Sequence, residues 1–117
     1  MILGIGIDIV EIQRIQKAIQ NIRFLEKCFC QEERDGIHRV ESFAGNFAAK
    51  EAAAKALGIG FRGFGPGQIA VLRDEFGKPY IRFYGKAKER AEQLGVTCIH
   101  VTISHEKYYA IANVILE

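Results

Sequence analysis

Apolar and polar positions alternate from the first residues of the chain. Leu3, Ile5 and Ile7 fall on one face of an extended segment, and Gly4, Gly6 and Asp8 on the other. This predicts a strand over residues 2–8 with one face kept bare. Glycine on a strand face lets another backbone, or a ligand, come close. The period then changes. Ile12, Ile15, Ile19 and Ile22 recur at helical spacing, with Arg14, Lys17 and Asn21 on the opposite side. Residues 24–39 read as short, irregular helix. A longer helix is predicted over 42–57, where Phe43, Phe47, Ala54 and Leu57 form an apolar stripe and Gly58 is a natural stop. Gly65-Pro66-Gly67 closes a glycine-rich loop over 58–67. Two strands follow, 69–73 and 80–84, joined as a hairpin. Ala87, Ala91 and Leu94 mark a short helix that Gly95 ends. The chain finishes in a second hairpin, 98–104 and 108–116, turning at His105-Glu106-Lys107.

Helices predominate early and strands late, without regular strand–helix–strand alternation. The expected class is therefore α+β, an antiparallel sheet packed with one long and several short helices. A length of 117 residues suits one domain over 1–117, able to bury roughly two-thirds of its unfolded surface. Sixteen basic against fourteen acidic residues give a net charge of +2, and no basic run marks a nucleic-acid binder. Three cysteines, Cys28, Cys30 and Cys98, form no CxxC pair. They argue against a disulfide framework or zinc ribbon and fit a reducing compartment. With no secretory pattern and no apolar run of membrane-spanning length, a cytoplasmic location is expected.

Several residues could carry chemistry, and each has a plainer alternative. Asp8 followed by Glu11 has the spacing of a helix capping box; equally, a carboxylate at a glycine-lined strand end could reach a metal and a phosphate. On the long helix, Ala44, Ala48, Glu51 and Lys55 form a second stripe. There a carboxylate and an ammonium project from a face otherwise reduced to methyl groups, leaving room for a ligand. The alternative is a surface pair four residues apart. Lys50 falls on the apolar stripe, where it either snorkels or meets a charge. Gly58-Ile59-Gly60-Phe61-Arg62-Gly63 matches GxGxxG but follows a helix instead of a strand, which excludes a dinucleotide fingerprint. His105, in the predicted turn, is either simply exposed or a donor to phosphate. Cys28, Cys30 and His38 lack zinc-ligand spacing.

In order along the chain stand Gly4-Ile5-Gly6-Ile7-Asp8, then Phe47-Ala48-Ala49-Lys50-Glu51-Ala52 with Lys55, then Gly77-Lys78-Pro79-Tyr80, and Val101-Thr102-Ile103-Ser104-His105. This series resembles the holo-acyl-carrier-protein synthases, the short class of 4′-phosphopantetheinyl transferases, over essentially the whole chain. The resemblance implies an enzyme that moves 4′-phosphopantetheine from coenzyme A to a serine of apo acyl carrier protein, in support of fatty acid biosynthesis. It implies Mg²⁺ held by Asp8 and Glu51, with Lys55 beside it, these three being the catalytic set. It further implies coenzyme A contacts from Lys55, Gly58, Pro79 and His105, and carrier-protein contacts from Arg14 and Lys17 on the first helix. The assembly implied is a homotrimer with the active site between subunits, His105 coming from the neighbour. Glu51 is the candidate general base. Many members carry arginine where this chain has Asn46, so one basic contact to coenzyme A is missing unless Arg39 or Arg62 replaces it. A non-catalytic interaction module and a Mg²⁺-dependent phosphohydrolase are the rival readings of the same residues.

Overall fold

The computed structural model describes residues 1–117. The elements run β1 (Gly4–Glu11), α1 (Ile12–Ala18), α2 (Ile22–Cys28), α3 (Gln31–Gly36), α4 (Val40–Ala56), β2 (Ile69–Arg73), β3 (Pro79–Phe83), α5 (Gly85–Leu94), β4 (Ile99–His105) and β5 (Tyr109–Leu116), with a 3₁₀ turn at Pro66–Gln68 before β2. The class is α+β, as expected. The strands form two antiparallel sheets. One has the order β1-β5-β4, and the β2–β3 hairpin makes the other. No helix is long and apolar enough to cross a membrane.

The bare strand face accommodates a helix. β1 pairs with β5 so that Gly6 faces Val114 and Asp8 faces Ala112, and α4 lies across this surface. A Cβ on Gly6 would sit 1.9 Å from the carbonyl oxygen of Ala52, and one on Gly4 would sit 2.0 Å from that of Ala56. Backbone-to-backbone approach is therefore what the two glycines serve. The alanines answer them from the helix: Ala44, Ala48, Ala49, Ala52 and Ala53 are fully buried. The methyl face read as space for a ligand is filled by the sheet, and only Glu51 and Lys55 on that stripe reach the surface. Small side chains along a helix can mean close packing as readily as a ligand cleft.

Two local expectations also shift, and for Lys50 the second of its two alternatives, meeting a charge, holds. The predicted isoleucine helix breaks after Ala18, and Ile22 begins α2 in an exposed position. His105 is the last residue of β4, paired with Ala110, instead of part of the turn. Lys50 neither snorkels nor reaches solvent. It is fully buried, with its ammonium 2.6 Å from Glu33 on α3 and donating also to the carbonyls of Pro66 and Ile69. Asn46 donates to the same glutamate at 3.2 Å and to the Val71 carbonyl at 3.0 Å.

On the outer face of the three-stranded sheet, Ile5, Ile7 and Ile9 remain 65%, 55% and 60% exposed, beside Tyr109 and Ile111. A row of this kind marks an interaction surface more often than a solvated one.

Candidate active site

Asp8 is positioned by a strand, not a cap. β1 continues through Ile9 and Val10 to Glu11, so Asp8 lies within the ladder, and the residue preceding α1 is Glu11, whose side chain makes no capping bond. The capping-box reading is thereby excluded. As an inward-facing residue of the same series as Gly4 and Gly6, Asp8 projects toward α4. Its side chain is 18% exposed. The Lys55 ammonium lies 3.2 Å from Asp8 Oδ1 and donates to the Ile7 carbonyl at 2.9 Å. An ammonium has three donors, so one stays available to a ligand from a side chain that is 55% exposed.

Glu51 completes the group one turn before Lys55. Burial pushes its pKa above the ordinary carboxylate value, and the charge of Asp8 pushes it further the same way. Lys55 and Arg14 act in the opposite direction. Two carboxylates therefore share one half-buried spot, with Lys55 and Arg14 as the cations that act on Glu51. The donors are hard oxygens beside an exposed ammonium, which fits a Mg²⁺ ion carrying waters and phosphate oxygens. The i, i+4 spacing of Glu51 and Lys55 is thus no simple surface pair, because Lys55 pairs across to β1.

The remaining expected residues are placed elsewhere in the chain. Gly58 follows α4 one turn after Lys55, with φ of +85°, and ends the helix. Pro79 opens β3 and lines a cavity of about 400 Å³ with Lys78, Tyr80, His100, Thr102 and Asn113. His105 is exposed at the end of β4. Register places it two strands across and two residues along from Asp8, on the order of 12 Å by ordinary strand spacing and rise. Arg14 and Lys17 line an open groove of about 670 Å³ on α1 with Gln13, Asn21 and Phe24. Asn46 is fully buried in the Glu33–Lys50 network, so it faces no ligand in this chain. Glu33, the hub of that network, went unnoticed in the sequence. The signal for it was Lys50, a charge on an apolar stripe that required a partner.

Known proteins share this sequence and fold. Residues 4–112 match the model of the 4′-phosphopantetheinyl transferase superfamily. The chain is 48% identical to the holo-[acyl-carrier-protein] synthase of Clostridium novyi, covering 100% of this chain and 88% of the relative. It is 46% identical to that of Desulfovibrio desulfuricans, covering 100% and 98%. Among solved structures, the Helicobacter pylori holo-[acyl-carrier-protein] synthase in complex with coenzyme A superposes with a TM-score of 0.87 at 32% identity, over 97% of this chain and 99% of that one. The Neisseria meningitidis enzyme superposes with a TM-score of 0.89 at 32% identity, over 100% and 99%. The fold and the matched residues define a phosphopantetheinyl transferase. Within that superfamily, the chain belongs to the holo-[acyl-carrier-protein] synthase family.

Proposed function

We propose that this enzyme transfers 4′-phosphopantetheine from coenzyme A to a serine hydroxyl of an apo acyl carrier protein in the cytoplasm, in support of fatty acid synthesis, with Mg²⁺ held by Asp8 and Glu51. The observation that carries this reading is the convergence of Asp8, Glu51 and Lys55 from β1 and α4 at one half-buried spot. The serine oxygen attacks the phosphorus that bears pantetheine. The bond from that phosphorus to the bridging oxygen breaks, and adenosine 3′,5′-bisphosphate leaves. Glu51 is the candidate to take the serine proton, directly or through a water. Lys55 donates its free N–H to the leaving phosphate oxygens. When bound, Mg²⁺ supplies positive charge to the pyrophosphate.

Arg14 and Lys17, exposed along α1, provide the positive surface for an acidic carrier protein. The decisive assay is mass spectrometry of an apo carrier protein incubated with coenzyme A and Mg²⁺. A gain of one phosphopantetheine is expected. Release of inorganic phosphate with no loaded carrier would establish a phosphohydrolase instead. In the same assay Lys17→Glu, at a residue with no charge effect on Glu51, should raise the KM for the carrier about tenfold or more and leave that for coenzyme A nearly unchanged. An unaltered carrier KM would remove α1 from the docking surface.

Three copies are the proposed assembly, and the exposed row Ile5, Ile7, Ile9, Tyr109 and Ile111 is the surface that would join them. Each site then takes Asp8, Glu51 and Lys55 from one chain and His105 from its neighbour, with Gly58 and Pro79 adding coenzyme A contacts. Asp8→Asn and His105→Ala proteins, nearly inactive alone, should regain activity when co-refolded. Random pairing of two halves at equal input predicts about a quarter of wild-type activity. Mixed trimers that recover nothing would overturn the shared site.

A further inference from the structure

Away from the acidic site, one group of three metal-ligating side chains has its donor atoms within 4.8 Å of one another: Cys98, His100 and Glu117. We propose that this triad is a second cation site, built for a borderline-soft divalent ion of the Zn²⁺ class.

The arrangement follows from sheet geometry. Cys98 and Glu117 are directly opposite each other, each donating its N–H to the other's carbonyl at 2.9 Å, and Thr97 adds a further bond to the Glu117 carbonyl at 2.8 Å. His100 lies two residues beyond Cys98 and pairs with Ile115, two residues before Glu117. Side chains two apart on a strand, and those of directly paired residues, project from the same face. All three donors therefore rise from one face at the end of the β4–β5 ladder, the face that carries Ile5 two strands away, and all three are exposed in the single chain.

Two of them are already close, since His100 Nε2 lies 2.9 Å from Glu117 Oε1. A tetrahedral ion with bonds of about 2.0–2.3 Å needs donors about 3.3–3.8 Å apart. Rotation of exposed side chains reaches that spacing without moving the backbone. A thiolate, an imidazole and a carboxylate are the ligand types Zn²⁺ accepts, and three protein ligands leave a fourth position for water. The thiolate selects against Mg²⁺, which prefers oxygen throughout. The site also stands well apart from the acidic pair. Glu117 is five residues along β5 from Ala112, the partner of Asp8, or about 17 Å by strand rise.

The competing account is a surface His100–Glu117 ion pair with Cys98 as a bystander. Reduced wild-type protein would be titrated with Co²⁺ as a spectroscopic probe, followed by Zn²⁺ to displace it. The visible absorption of a tetrahedral site and a thiolate-to-cobalt charge-transfer band are expected at one Co²⁺ per chain, Co²⁺ on the oxygen donors of the acidic pair giving no such band. Cys98→Ser should abolish the band. His100→Ala and Glu117→Gln should each weaken binding more than about tenfold, the loss seen even when an outer partner of a metal ligand is removed. Asp8→Asn should keep the thiolate band at full intensity. Because the three positions are exposed, circular dichroism of the variants should match wild type. Three results would overturn the site: no thiolate band in the wild type, a band that survives Cys98→Ser and so belongs to Cys28 or Cys30, or undiminished affinity in both His100→Ala and Glu117→Gln.

Discussion

Asp8→Asn and Glu51→Gln should each lower kcat for phosphopantetheine transfer by on the order of 10²–10³-fold while leaving the fold intact, the scale of losing one electrostatic contact to a transition state. Each replacement nearly preserves shape and removes one negative charge from the spot where the two carboxylates and Lys55 meet. Their stability effects should also separate them from structural residues. Glu51 has a folded pKa above its unfolded value, so its contribution to stability is present at low pH and lost as pH rises through the folded value. In the absence of divalent cations, Glu51→Gln should therefore be at least as stable as wild type near neutral pH. Mg²⁺ with coenzyme A should raise the melting temperature of the wild type and have much less effect on either variant, since a ligand that binds only the native state stabilises it. For the wild type, kcat/KM should fall at acid pH, because protonating Glu51 removes both the base and a proposed metal ligand. A Glu51→Gln protein that loses melting temperature together with activity would show that Glu51 supports the fold instead of the reaction.

The difference between what periodicity revealed and what it missed has a physical cause. Strands and helices repeat apolar positions at periods of 2 and 3.6, so all the strands and the long helix were legible with ends displaced by a few residues. Asp8 was ambiguous because a carboxylate three residues before a glutamate satisfies the capping-box pattern whether or not a helix starts there. Ile9 and Val10 favoured continued strand, and they prevailed. The alanine stripe of α4 was misread because sequence cannot show whether small side chains make room for a ligand or for a neighbouring backbone. Part of the answer lay in Gly4 and Gly6, more than forty residues earlier, whose missing Cβ atoms admit the backbone of Ala56 and Ala52 beside that stripe. The acidic pair itself was legible from type and order. The compensation by Lys55 across to β1 was not, since it joins residues 47 positions apart. Glu33 was the least visible of all. In Gln31-Glu32-Glu33-Arg34-Asp35 it looks like any residue of a solvated helix, yet it is fully buried.

That burial leads to the largest stability effect expected in the chain. Glu33 accepts from Lys50 and from the Cys30 N–H through one oxygen, and from Asn46 through the other. Lys50 in turn places all three ammonium protons, on Glu33 and on the carbonyls of Pro66 and Ile69. Burial pulls the Lys50 pKa down, and the Glu33 carboxylate opposes that shift. The pair ties α3 and the segment before β2 to α4 on the side opposite the sheet, next in sequence to Glu51. Glu33→Ala leaves an ammonium in the core without its counter-charge and should destabilise the protein by about 3–5 kcal/mol. Against a total of roughly 5–15 kcal/mol for an ordinary domain, much of the native population could be lost. Glu33→Gln is therefore the companion variant, because its amide oxygen can still accept from Lys50 and the loss should be smaller. In the double variant Glu33→Gln/Lys50→Met no charge remains buried, so its destabilisation should fall below the sum of the two single changes. Urea denaturation at one fixed protein concentration measures all of these as shifts in midpoint at constant slope. If the double variant refolds, it should keep most transferase activity, since neither residue touches the acidic pair. Strict additivity in the double variant would show that Glu33 and Lys50 contribute by packing alone. Lost activity in a double variant of wild-type stability would show that the pair also holds Glu51 in register with Asp8.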